Sequence, residues 1–308
     1  MAQCLVTGGA GFIGSHLAAE LLHRGHTVRV ADNLATGLRS NIPAGAQFVP
    51  GDLRDPDFAA EAARGCEVVF HQAAIASVPQ SISEPRPSHE ANIDATFNVL
   101  IAARDAGARR VVYAASSAAY GDSPVLPKTE GMRVDPLSPY ALQKLVGEEY
   151  CRLFTRIYGL ETVSIRYFNV FGPRQHPSSP YSGVLSLFIK CALSGTAPTI
   201  YGDGEQTRDF TFVDDVVDGV LSAADATGAA GEVINVATGV RVSLNHAWAA
   251  LESILGPLEA PVYEPARVGD VYASQADIGK AERLLGIRPR VAFDEGLRRT
   301  VDWARSTS

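Results

Sequence analysis

Tyr140 and Lys144 stand four positions apart in Pro139-Tyr140-Ala141-Leu142-Gln143-Lys144. On a helix that spacing places both side chains on one face, one turn apart. A free phenol ionises near about pH 10, and a neighbouring ammonium lowers that value, so the pair can supply a general base near neutrality. Ser138 and Pro139 in front of them read as an N-cap followed by proline at the first helical position. Upstream, a β-branched run ends in Ala114-Ala115-Ser116-Ser117, and a serine hydroxyl there can share the proton that Tyr140 moves. Tyr140, Lys144 and Ser116 are the candidate catalytic group, and proton removal from a substrate hydroxyl is the chemistry they suit.

A second constellation lies at the amino end. Leu5-Val6-Thr7-Gly8-Gly9-Ala10-Gly11-Phe12-Ile13-Gly14-Ser15-His16 sets glycines in a G-x-x-G-x-x-G spacing between an apolar strand and a helix. Glycines there allow a tight turn and close approach of backbone to a pyrophosphate, while the helix N-terminus offers free N–H groups to the anion. Asp32-Asn33 ends the second strand, where a carboxylate accepts a ribose 2′-hydroxyl and repels a 2′-phosphate. The pattern predicts a dinucleotide site for NAD rather than NADP. Gly51-Asp52-Leu53 and His71-Gln72-Ala73-Ala74 follow the third and fourth strands, where strand ends face an adenine and ribose.

The elements that must position these groups alternate. Strands are expected over 3–6, 27–31, 47–50, 68–71, 111–114 and 162–166, with helices over 14–24, 58–64, 89–106 and 140–158. This is a Rossmann-like, doubly wound parallel sheet of the α/β class. Leu142, Leu145, Val146, Leu153, Phe154 and Ile157 form a helical stripe that ends at Gly159, and predict a firmly packed helix. From Gly172 the pattern turns to prolines, serines and shorter mixed elements. Residues 1–171 are therefore expected to form the NAD-binding domain and 172–308 a smaller mixed α/β substrate lobe, with some segments returning to the first domain. Asp214-Asp215, before an apolar run, reads as a helix N-cap.

At 308 residues, 46% hydrophobic and 20% charged, the chain can bury a sizeable core. A net charge of −7 without a basic cluster argues against nucleic acid, so an anionic ligand must be met by a few placed cations. Cys4, Cys66, Cys151 and Cys191 make no zinc spacing, the seven histidines form no paired set, and no metal site is expected. No membrane-spanning window or leader-like start is visible, and the expected location is cytoplasmic.

Taken together, these segments resemble the extended short-chain dehydrogenase/reductase superfamily, and within it the UDP-glucose 4-epimerase group. The likeness also runs through Ser116-Ser117-Ala118-Ala119-Tyr120-Gly121, Arg166-Tyr167-Phe168-Asn169-Val170-Phe171-Gly172-Pro173-Arg174-Gln175 and Gly202-Asp203-Gly204-Glu205-Gln206-Thr207-Arg208-Asp209-Phe210. The resemblance implies C4 epimerisation of a UDP-hexose through a transient 4-keto sugar and tightly held NAD. Tyr140 would take the 4-hydroxyl proton, Ser116 would share it, and Lys144 would bind the nicotinamide ribose. Beside Gly8, Gly11, Phe12, Ile13, Gly14, Asp32, Asn33, Asp52, Leu53, Ala73 and Ala74, it implies Asn92 and Phe168 for the cofactor. For the substrate it implies Ser77, Ser117, Asn169, Gln175, Val184, Phe188 and Tyr201, with Arg208 and Arg267 on the pyrophosphate and Asp270 on a ribose. Relatives that dehydrate or decarboxylate carry an acidic residue beside the serine; Ser117 and Ala118 stand there, which favours epimerisation. Ser274, where galactose epimerases have a bulky residue, resembles enzymes that also accept N-acetylated hexoses. A UDP-glucuronate 4-epimerase and a net nucleotide-sugar oxidoreductase are the alternatives, although uronate epimerases have threonine and arginine where this chain has Asn169 and His176. The resemblance further implies a homodimer paired through helices 89–106 and 140–158.

Overall fold

The computed structural model of the chain describes residues 1–175, 183–266 and 271–307. Six strands, β1 (Gln3–Thr7), β2 (Thr27–Asp32), β3 (Gln47–Pro50), β4 (Val68–His71), β5 (Arg110–Ser116) and β6 (Glu161–Tyr167), join Glu232–Val236 in one parallel sheet. Their order is β3-β2-β1-β4-β5-β6, with Glu232–Val236 on the far edge. β4 is buried at all four positions and β5 at six of its seven, as expected of strands covered by helices on both faces. The order reverses between β1 and β4, so a crevice opens beyond their carboxyl ends, where ligands bind in such sheets.

Glu232–Val236 pairs with β6, and the helix Val213–Asp225 packs on β5 and β6, so the first sheet takes in chain from beyond residue 171. The rest of the later chain forms three small pairings: Phe210–Phe212 on Asn169–Phe171, Val242–Ser243 on Thr207–Arg208, and Val262–Glu264 on Thr199–Tyr201. Phe171, Phe210, Phe212 and Phe293 pack their rings together and anchor this part to the helix Phe293–Thr307. Asp215 does not cap the helix before which it was expected to act. Its carboxylate accepts the amides of Arg290 and Val291, at 2.9 and 3.1 Å, and ties the helix to the carboxy-terminal segment.

Two helices differ from their expected form. The segment expected as one helix over 89–106 consists of Pro85–His89, a π-helical turn Glu90–Asp94 and Ala95–Asp105. The helix Pro139–Tyr158 begins as expected, with Ser138 Oγ accepting Ala141 N at 3.2 Å, and ends at Gly159 with φ 72°. Its packing, however, is only partly by the apolar stripe, of which Phe154 is buried and Leu145 and Val146 are half-buried. Leu142, Leu153 and Ile157 are 50, 43 and 63% exposed, whereas Ala141, Gln143, Lys144, Gly147, Glu148, Cys151 and Phe154 are buried. The helix turns its chemistry inward against β5 and β6 and leaves apolar side chains outside. Among the described residues, no helix is long and apolar enough to cross a membrane.

Candidate active site

The crevice beyond β1 and β4 is a cleft of about 430 Å³, and it runs from the glycine turn to Tyr140 and Lys144. At its first end β1 stops at Thr7 and the chain turns at Gly8, with φ 66°. A Cβ on Gly8 would stand 2.7 Å from the amide nitrogen of Ala73, and one on Gly14 only 2.3 Å from the carbonyl oxygen of Gly8. Glycine is thus required for the turn to close on β4 and on its own helix. No side chain caps the helix Phe12–His23 at Gly11, and Gly11, Phe12 and Ile13 all line the cleft. An uncapped helix N-terminus on a surface that glycines keep bare fits the pyrophosphate of a dinucleotide.

Asp32 closes β2. Its two oxygens accept Ala10 N at 3.0 Å and Leu34 N at 2.8 Å, which fixes the turn and leaves lone pairs toward the cleft for ribose hydroxyls. Asn33 donates to Asp52 at 3.2 Å. Arg54, which no sequence motif marks, grips Asp52 through Nε and Nη2 at 3.0 and 2.7 Å and holds its carboxyl down at about 2. Leu53, Ala73 and Ala74 complete this wall.

At the other end, Lys144 Nζ donates to the carbonyl of Ala114 at 2.9 Å and lies over the Tyr113 ring. Burial brings this ammonium down to about 8, with the nearby Cys151 and Glu148 acting in the other direction. Ser116 Oγ accepts the amide of Ala118 at 3.2 Å, and its hydroxyl is near enough to the Tyr140 phenol to draw that group's pKa down. The phenol itself departs from expectation: burial raises it above the usual tyrosine range, and the Ser116 bond only partly opposes that. Desolvation of the buried phenol is the larger effect, and Lys144, whose Nζ donates to the Ala114 carbonyl, is not among the groups that lower it.

Two further residues, Tyr167 and His71, lie within the motif segments without a role of their own in the pattern. Tyr167 donates to Gln72 Oε1 at 2.8 Å, and both line the cleft between its two ends. His71, 1% exposed, sits behind the wall between Thr7 Oγ1 at 2.7 Å and Thr96 Oγ1 at 3.0 Å.

The remaining expected residues are spread more widely. Asn92 lies behind the cleft, accepting Ile75 N at 2.8 Å and donating to Ile75 O at 3.1 Å, so it braces a cleft-lining backbone. Phe168 is buried against Tyr120. Ser77 caps the helix Val78–Ser83 by accepting Gln80 N at 3.1 Å. Asn169 is exposed, and Gln175 Nε2 donates to Val170 O at 3.1 Å. Val184 opens the helix Val184–Ser194, in which Phe188 is 2% exposed with its ring edge on Trp248. Tyr201 ends its short strand. Arg208 and Ser274 come together at Thr207: Arg208 Nη1 donates to Thr207 O at 2.9 Å, and Ser274 N to the same oxygen at 3.1 Å. Ser117 opens the turn Ser117–Tyr120 beside Ser116. Arg267, Asp270 and His176 lie outside the described residues.

Residues 4–237 match the model of the NAD dependent epimerase/dehydratase family. The chain belongs to that family. This family member is 39% identical over 313 residues to the UDP-glucose 4-epimerase of Mycolicibacterium smegmatis, covering 99% of both chains. Its fold superposes on a UDP-N-acetylglucosamine 4-epimerase from Methanobrevibacter ruminantium, solved with UDP-N-acetylmuramic acid, at TM-score 0.95 and 38% identity, over 100% of this chain and 99% of the other. A Thermus thermophilus UDP-glucose 4-epimerase solved with NAD gives TM-score 0.91 and 38% identity, over 99% and 100%. With epimerases as relatives along its whole length, the family member is an isomerase that uses NAD.

Proposed function

We propose that this enzyme inverts C4 of a UDP-hexose, taking UDP-glucose or UDP-galactose and also their N-acetylated counterparts, by transient oxidation to a 4-keto sugar and re-reduction. The observation that carries the reading is the meeting of Tyr140, Ser116 and Lys144 at one end of the cofactor cleft, beside a turn, Ser117-Ala118-Ala119-Tyr120, that brings no carboxylate. A second acid, which dehydration or decarboxylation would use, is thereby missing from the strand end.

In this scheme Gly11, Phe12, Ile13, Asp32, Asn33 and Ala73 hold the dinucleotide, and Lys144 holds its nicotinamide ribose. When bound, NAD supplies the acceptor and later donor of the hydride at the sugar carbon, and a positive ring charge beside Tyr140. Tyr140 takes the proton of the sugar 4-hydroxyl and returns it at the end. Ser116 hydrogen-bonds both phenol and sugar oxygen, so that the proton crosses a short distance. Lys144 contributes a fixed positive charge that steadies the phenolate, and the half-buried wall of Tyr167 and Gln72 limits the water that can compete. Arg208, with Arg267, meets the diphosphate; Asp270 takes a ribose hydroxyl; Asn169, Gln175 and the Val184–Ser194 helix border the nucleotide; and Ser274 leaves room for an acetamido group.

Incubation without added cofactor with UDP-glucose, UDP-N-acetylglucosamine and UDP-glucuronate, each followed by chromatography, tests the reading. Conversion of the first two is expected. Turnover of the glucuronate alone, or release of reduced cofactor in step with product, would overturn it. Ser274→Tyr should abolish turnover of the acetylated sugar and spare UDP-glucose.

The same reading makes the enzyme a cytoplasmic homodimer. Phe97, Leu142, Leu153 and Ile157 stand exposed on Ala95–Asp105 and Pro139–Tyr158, which offers an apolar face to a second copy, and the free thiols of Cys4, Cys66 and Cys151 are buried. Cell fractionation and the solution mass check both points.

A further inference from the structure

The scheme above leaves unused the charges buried closest to its helix. Glu148 is fully buried on the inward face of Pro139–Tyr158, one turn beyond Lys144 and two beyond Tyr140. Its carboxylate accepts Nε and Nη2 of Arg166 at 2.9 and 2.7 Å, a bidentate fork in which the arginine is also buried. Arg166 belongs to β6, and its register partner on β5 is Ala115. Ala115 stands between Ala114, whose carbonyl receives Lys144 Nζ, and Ser116, whose hydroxyl meets Tyr140. The guanidinium also lies over the Tyr120 ring, 4.6 Å from its centroid, and Tyr120 ends the turn that follows Ser116.

Such a pair is a poor device for stability alone. Desolvating two charges costs about as much as their attraction returns, and apolar residues of similar volume often do better. Arg166 Nη1 meets no acceptor among the described residues, which adds to the cost. What the fork does provide is direction. A planar guanidinium on a carboxylate fixes both distance and angle between helix and strand, at the level where three reacting side chains must meet.

We propose that Glu148 and Arg166 are positioning residues, which lock the helix face bearing Tyr140 and Lys144 to the Ala114-Ala115-Ser116 segment and so set the Ser116–Tyr140 contact. The inference rests on the reading of Tyr140 as the base. Its test compares the NAD-loaded wild type with the double variant Glu148→Leu, Arg166→Met and with Arg166→Lys, which keeps the charge and loses the fork. Thermal midpoint, NAD retention, kcat and KM for the UDP-hexose are measured for each.

The double variant should melt at or above the wild-type temperature, retain NAD and keep KM within about threefold, yet lose about 100-fold in kcat, the scale of a misplacement near 1 Å. Arg166→Lys should lose about 10-fold in kcat with an unchanged midpoint. A double variant with wild-type kcat overturns the proposal, since a merely structural pair is replaceable. Should the double variant fail to fold, Arg166→Lys decides alone, and undiminished kcat in it overturns the proposal. A wild type that converts no UDP-hexose overturns the functional reading instead. The pair is then judged from a crystal structure of Arg166→Lys, where a retained Ser116–Tyr140 contact overturns it and a lengthened one upholds it.

Discussion

His71 makes acid stability a property of the cofactor wall. The ring is enclosed by two threonines, and the hydrogen bonds around it assign its proton. Thr96 Oγ1 donates to Asn92 O at 2.7 Å, so it can only accept from His71 Nε2; Nδ1 is then the acceptor of the Thr7 hydroxyl. Thr7 Oγ1 in turn accepts the amide of Ala73 at 3.3 Å, on the cleft surface. A second proton, on Nδ1, would face a hydroxyl hydrogen in a buried site. Burial, and after it the Lys144 ammonium, bring the ring from its ordinary 6.5 down to about 3. The unfolded chain therefore binds more protons across that window, and stability is present above pH 6.5 and lost as the pH falls toward 3. At about 1.4 kcal/mol for each pH unit, the loss between pH 7 and pH 5 is about 2 kcal/mol. His71→Gln offers a neutral donor and acceptor that does not titrate. Urea denaturation at pH 7 and pH 5 should show the wild type losing about 2 kcal/mol more than the variant over that interval. Equal losses would refute both the proton assignment and the buried neutral ring.

Tyr140→Phe should lower turnover by about 10³-fold while the purified protein still carries NAD, measured by steady-state assay and by extraction of the nucleotide. Gly14→Ala drives a methyl to 2.3 Å from the Gly8 carbonyl oxygen, and should cost about 2–3 kcal/mol of stability together with NAD retention, read by denaturation with and without added NAD. Ile157→Glu with Leu153→Glu places charges on the exposed apolar face of Pro139–Tyr158 and should give a monomer in sedimentation equilibrium. An unchanged dimer would move the interface elsewhere.

Much of the cofactor end was legible because its signals are local. The glycine spacing, the strand before it and Asp32 after it are consequences of chain geometry within a few residues, and glycines at Gly8 and Gly14 answer contacts that any Cβ would violate. The positions of β1 to β6 were legible to within one or two residues, since short apolar runs between turn residues carry no competing pattern, whereas Glu232–Val236, which completes the sheet, was not singled out. Tyr167 and the brace from Asn92 to Ile75 were not legible, because each acts on a partner distant in the chain or on a backbone amide that composition does not mark, and Arg54 was not, because a surface arginine two residues from an aspartate carries no pattern of its own. The nucleotide end is thinner still: Arg208 and Ser274 meet through Thr207, two short segments whose pairing no periodicity announces.

The helix Pro139–Tyr158 shows where periodicity misleads. Leu142, Leu153 and Ile157 mark a face by hydrophobicity, and hydrophobicity alone cannot say whether that face meets the core or another chain. The neighbouring face carries Lys144 and Glu148, residues that would ordinarily be solvated, and it is buried because each charge finds a fixed partner, Ala114 O for one and Arg166 for the other. Those partners lie on β5 and β6, so the polar face can face inward only once the sheet has formed. A helix whose buried side depends on specific polar contacts must be oriented by the tertiary fold, and this dependence is also what makes its register useful to chemistry. An apolar face would tolerate sliding by a fraction of a turn, whereas the Lys144 and Glu148 contacts do not, and Tyr140 inherits that constraint.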